Sequence, residues 1–229
     1  VSTYGGPNPA GGSVAPPGPS SLIALRRAVR LRLGVPVTDD FFTDDILNDV
    51  INLAINQIEE QQMWPWTEAI DYPSTDPSLP GVLIVPTDWR ATRGLTVADP
   101  WNYEVDAVSP ADLARFPTTY TGPPSVFAEI GAGIQYRPNP DQAYGLIHHY
   151  YRQTPTLVFD ADTPYLPGRF AGAVVATAAL LLAEREGNRQ KAQLYQADVT
   201  NWVNLMHRAV RRVSGPTVPR VRPGSWIDR

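Results

Sequence analysis

The 229-residue chain contains no cysteine, which excludes disulfides and thiolate-held metals. Histidine is scarce: only His148, His149 and His207 occur. A zinc site would need the two adjacent histidines or a carboxylate-rich set, and no metal or other cofactor is expected. Lysine is almost missing, since Lys191 is the single lysine among 19 basic residues. With 24 prolines alongside it, that skew reads as compositional bias and lowers the weight of any one arginine as a functional signal. Long apolar runs are lacking too. The most apolar stretch, Phe170 to Ala183, is 14 residues and is closed by Arg169 and Glu184, whereas a spanning helix needs roughly 20 apolar residues. No membrane span is expected. The stretch reads instead as a helix over 167–186 buried against protein, with Pro167 in its first turn and Gly187 as its stop. Residues 1–20 have neither a basic start nor an apolar segment, so no signal peptide is expected, and the reading is a soluble intracellular protein.

What is present is uneven. Residues 39–60 hold seven acids and no Lys or Arg, while 207–229 hold six arginines against Asp228 alone. Residues 1–20 are rich in Gly, Pro and Ser and read as an extended arm. A first helix follows Ser20 or Ser21, with Leu22, Leu25, Val29 and Leu33 at helical spacing. Arg26, Arg27, Arg30 and Arg32 fall mostly off that stripe, and Gly34 ends the helix. A second helix starts after Thr43 as N-cap and is ended by Pro65. From 67 to 159 short strand-like runs such as "GVLIVP", "NYEVDAV", "SVFAEI" and "LIHHYYR" are punctuated by Pro and Gly. "EIGAGIQ" reads as a tight hairpin turn and "PADLARFP" as one helical turn. Helices return at 167–186 and about 188–212, and 213–229 reads as an extended basic tail. The expected class is α+β: a helical bundle made by 21–66 and 160–212, a β-rich insert at 67–159, an arm at 1–20 and a tail at 213–229.

Candidate chemistry is thin. In a strand, His148 and His149 of "HHYYR" point to opposite faces, so they do not share one metal easily. The segment reads as an edge strand, and a hydrolase using either histidine would need a carboxylate partner beside it. "TDDFFTDDILND" lacks the central Gly and terminal Glu of a calcium loop, and its acids read as helix-start residues. Glu59 and Glu60 are adjacent on a helix and point apart. The arginines of the tail suit nucleic-acid phosphate or acidic groups on a protein. The prolines and Trp226 between them favour extended docking on protein. The alternative is an independent nucleic-acid-binding protein gripping DNA through that tail.

Two segments resemble one family. "LRRAVRLRLG" followed by "DDFFTDDILNDVINLAINQIEEQQMWPW" is similar to the N-terminal signature of tailed-bacteriophage head-to-tail adaptor (connector) proteins. The resemblance rests on the cap Thr43, Asp44, Asp45, Ile46 and Leu47, and on Asn52, Ala54 and Ile58 in the helix. A second match carries Leu166, Pro167, Phe170, Ala192 and Tyr195. The resemblance implies a structural protein without catalysis. It implies a ring of about twelve subunits that joins the portal to the tail or to further neck proteins. Genomic DNA would pass non-specifically through its channel. It places the protein in the virion neck after assembly in the host cytoplasm. Phe170, Val174, Ala176 and Leu181 would pack within and between subunits. Arg220, Arg222 and Arg229 of the tail would pair with portal acids, while Val221, Trp226 and Ile227 fill apolar grooves.

Overall fold

The computed structural model describes residues 20–214 except 38, 80, 99–101 and 132. In chain order its elements are α1 (Leu22–Leu33), α2 (Asp44–Glu60), β1 (Glu68–Asp71), β2 (Val82–Leu83), β3 (Trp89–Val97), β4 (Tyr103–Ala107) and α3 (Pro110–Leu113). β5 (Val126–Ile130), β6 (Gly133–Arg137), β7 (Leu146–Arg152), α4 (Ala171–Arg185) and α5 (Arg189–Ser214) follow. The arm and the tail lie outside the described residues.

α1 buries Leu22, Leu25, Val29 and Leu33, the spacing read from sequence. Gly34, at φ 73°, sits in the left-handed region that lets the chain turn out of the helix. The Gly34 and Val35 amides then donate to Leu31 O and Arg30 O. The side-chain oxygen of Thr43 accepts from the Ile46 amide at 3.4 Å, so it caps α2 as expected. Asp44 and Asp45 occupy the first turn, where the helix dipole favours negative charge. α2 stops at Glu60, short of Pro65. The Trp64 indole N–H donates to Ile58 O at 2.8 Å, taking up a carbonyl of the last turn. Pro65 instead opens a short 3-10 turn, Pro65–Thr67.

The apolar run behaves as an interior helix. α4 starts at Ala171, after a 3-10 turn over Gly168–Phe170. Its buried residues, from Ala173 to Ala183, lie around most of its circumference, and α1, α2 and α5 all pack on it. A Cβ on Gly172 would stand 2.2 Å from a Trp202 ring carbon, so glycine is what lets α5 approach α4. α5 starts beyond Asn188, whose side-chain oxygen accepts from the Lys191 amide at 3.1 Å. It runs two residues further than the apolar periodicity suggests. One core is shared by α1, α2, α4 and α5; a second, around Leu83, Leu95, Val97, Phe127, Ile134 and Tyr136, belongs to the sheet.

The seven strands form one sheet in the order β1-β7-β3-β4-β5-β6-β2. Two results correct the sequence reading. β7 is not an edge strand: it lies between β1 and β3, pairing antiparallel with both. β1 itself, "EAID", has little strand character, because it gains its conformation from backbone pairing along β7. β3 is longer than its apolar run. Register shifts at Trp89/Ala91 and Thr92/Gly94 break the period-2 alternation through its first half. The β5–β6 hairpin falls where "EIGAGIQ" places it.

Polar contacts join sheet and helices. The buried Glu59 carboxylate accepts from both the amide and the hydroxyl of Thr154, and Arg90 donates to Glu59 O. Tyr150 and Tyr165 both donate to Asp88 at 3.1 Å. Burial, reinforced by Asp88, pushes the Tyr150 hydroxyl up to about 12, so it remains a proton donor across the physiological range.

Candidate functional site

His148 lies fully buried in β7, with Nε2 3.2 Å from Thr92 Oγ1 and its ring stacked on Tyr150 at 5.1 Å. Its Nδ1 has no partner among the described residues. His149 lies on the opposite face of the strand, partly exposed, so the two rings do not converge. Burial pulls His148 below the ordinary histidine range, against the opposing pull of Asp71 and Glu129, while His149 adds to the lowering. The arrangement suits a neutral packing imidazole. Among the described residues, no group of three or more His, Asp or Glu side chains is placed to hold a metal.

The lowered value has a consequence for stability. As pH falls through about 6.5 the unfolded chain takes up the proton first, so stability drops from there toward the lower folded value. Urea midpoints measured from pH 8 to pH 5 should fall in acid for the native chain. They should fall less for His148→Gln. Parallel curves would show that His148 titrates alike in both states.

The constellation that sequence reading missed joins α1, α2 and the 157–162 loop. Arg26 and Arg30, expected off the apolar stripe, are buried. Arg26 pairs with Asp44 at 2.8 Å and with Asp160, while Arg30 pairs with Asp44 at 2.8 Å and donates to Phe42 O at 3.0 Å. Asp44 is therefore more than a helix-start acid: it bridges two desolvated guanidinium groups, and with Asp160 balances their charge. Asn52 supplies the second fastening. Its amide nitrogen donates to Leu157 O at 3.1 Å and its oxygen accepts from the Leu157 amide at 2.8 Å, as a strand partner would. The Leu22 and Ile23 amides, free at the start of α1, donate to Asp162 O and Asp160 O. The Asp162 carboxylate accepts from the Phe159 and Val158 amides at 2.8 Å each, which hold it below the usual carboxylate range. The loop is thus tied at both ends while Val158 and Phe159 point to solvent. The presence of Asn52 in the quoted motif was the only available signal.

Asn52→Ala should remove both bonds and strand two backbone groups of Leu157, lowering stability by about 1–3 kcal/mol. Equilibrium denaturation with amide exchange at Leu157 would measure this. Unchanged exchange protection would show that the loop is held without Asn52.

One concavity lies near the end of α5. Trp64 stacks on Trp66 at 4.7 Å, Trp66 touches Phe170, and Trp64 touches His207. Pro65, Trp66, Pro167, Arg169, Ala209 and Val210 line a cleft of about 230 Å³. Of the residues read as packing positions, Phe170, Val174 and Ala176 are buried in this chain's own core, and Leu181 is half-buried at its margin. Arg220, Val221, Arg222, Trp226, Ile227 and Arg229 lie outside the described residues.

Leu53, Val158, Phe159, Leu194 and Leu205 are apolar side chains left exposed on the helical part and the 157–162 loop. Residues 20–221 match the family described as SU10 adaptor protein, a phage head-to-tail adaptor family, and the chain belongs to it. The match ends before Arg222, Trp226, Ile227 and Arg229. No curated protein matches the chain. Among the described residues no helix is long and apolar enough to cross a membrane.

Proposed function

We propose that the protein is a structural, non-catalytic component of the virion neck. It forms a closed ring of about twelve copies that joins the portal to the tail or to further neck proteins. Genomic DNA passes through the ring without sequence-specific contact. Assembly takes place in the host cytoplasm. Membership of the adaptor family carries this reading, and the firmly tied loop bearing Val158 and Phe159 agrees with it. In this scheme residues 21–66 and 160–212 act as a helical bundle that carries the ring contacts, and 67–159 is an insert projecting from it. Residues 213–229 reach the portal, with Arg220, Arg222 and Arg229 on portal acids and Val221, Trp226 and Ile227 in apolar grooves.

Electron micrographs of virions carrying a label on this chain, together with particles made without it, test the reading. Label at the neck, and DNA-filled heads lacking tails when the chain is absent, are expected. Normal tailed particles without the chain would refute it.

A further inference from the structure

Two outward faces of the helical part differ in sign while each carries exposed apolar side chains. On the first, Asp45, Asp49, Leu53, Gln57 and Glu60 recur along α2 and all are exposed. Leu53 is 48% exposed, and the Asn52 clamp ties in the loop bearing Val158 and Phe159, which are 64% and 73% exposed. No Lys or Arg occurs between Arg32 and Arg90, so α2 and its flanks carry no cation of their own. The buried Arg26 and Arg30 are already engaged by Asp44 and Asp160.

On the second, the outward residues of α5 include Leu194, Ala197, Asn201, Leu205, Arg208 and Arg211. Leu194 is 61% exposed and Leu205 49%. The single acid of α5 is Asp198, and it pairs with Arg32. The C-terminal half of this face is therefore apolar and basic.

The spacings match when the two helices run antiparallel. From Leu53 toward the start of α2 the order is Leu, Asp49, Asp45, with steps of four residues. From Leu205 toward the end of α5 it is Leu, Arg208, Arg211, with steps of three. At about 1.5 Å per residue these spans are about 12 Å and about 9 Å, a mismatch an arginine side chain covers. The two faces cannot meet within one chain, because α2 and α5 each turn their inner sides toward α4. A contact between different faces of identical copies is head-to-tail, the kind that closes rings.

We infer that the acidic α2 face docks on the basic α5 face of a second copy of this chain. Leu53 meets Leu205, Asp49 meets Arg208 and Asp45 meets Arg211, with Val158 and Phe159 widening the apolar centre. The inference rests on the ring reading above and assigns the faces that make the ring.

Charge reversal of the purified full-length chain tests it, read by native mass spectrometry and light scattering across salt. Asp45→Arg with Asp49→Arg should weaken self-association roughly tenfold or more, and Arg208→Asp with Arg211→Asp should do the same. The fourfold variant should regain assembly, because the pairs are restored with exchanged sign. All these positions are exposed, and circular dichroism would confirm that each variant folds. Rings that survive either double reversal would overturn the assignment of faces while leaving the ring reading intact. Loss of assembly without recovery in the fourfold variant would mean that the two faces do not pair with each other, and would overturn it too. A native chain that stays monomeric at every concentration and salt would overturn both readings.

Discussion

A chain ending at Ser214 is expected to fold as the full-length protein does and to fail to join DNA-filled heads. Neither described core contains a residue beyond Val210, so removing 215–229 takes away no core contact of the described fold. The melting temperature should therefore be close to the full-length value. Attachment should be lost, because the proposed anchors go together. A tryptophan that anchors an interface, the role proposed for Trp226, is commonly worth about 2 kcal/mol or more, roughly 30-fold in affinity. About twelve linked copies compound this through effective concentration. A pull-down on DNA-free portal rings isolates the contact. Binding of the truncated chain at full-length strength would remove the tail from the portal contact and favour the rival view, in which its arginines grip channel DNA. That view also predicts a steep salt dependence of DNA binding by the full-length chain, lost on truncation.

Ala176→Arg should abolish folding of the subunit itself. Ala176 is 3% exposed and belongs to the core shared by α1, α2, α4 and α5. A guanidinium there would be desolvated within an apolar cluster, and the cost is several kcal/mol. Total stability of an ordinary domain is about 5–15 kcal/mol, so most of it disappears. Thermal unfolding should show no cooperative transition, or one greatly lowered, and the chain should be found in the insoluble fraction. Ala176→Ser, nearly the same size, should fold. A soluble Ala176→Arg chain with a native melting curve but no self-association would place this position at a subunit contact instead of in the core.

How much was legible depended on how local the cause was. The start of α2 was readable because a cap needs only a Ser or Thr followed by apolar residues at helical spacing, as Thr43 shows; Ser21 stands at the N-cap position of α1, but its hydroxyl makes no cap bond among the described residues. The β5–β6 hairpin was readable because a glycine turn between two apolar runs is contiguous in sequence. The end of α2 was not, since the group that takes up Ile58 O belongs to Trp64, whose ring is held from elsewhere by Trp66 and His207. The position of β7 inside the sheet was hidden for a related reason. It depends on β1, a four-residue segment with weak strand propensity of its own.

The sequence by itself determined that the apolar run 170–183 is a helix buried in protein, because its length forbids a membrane span and its small residues permit close approach. It also determined the alternation that separates His148 from His149, because side-chain direction in a strand has period two. Only the tertiary structure decided that Arg26 and Arg30 go inside. A charge can be buried when acids are delivered to it, and one of those acids, Asp160, lies 134 residues from Arg26 in the chain. The role of Asn52 was likewise settled at long range, since its partner Leu157 is 105 residues away. Helical spacing and capping are written in neighbouring residues. The pairing of buried polar groups is set by which distant segments the fold brings together.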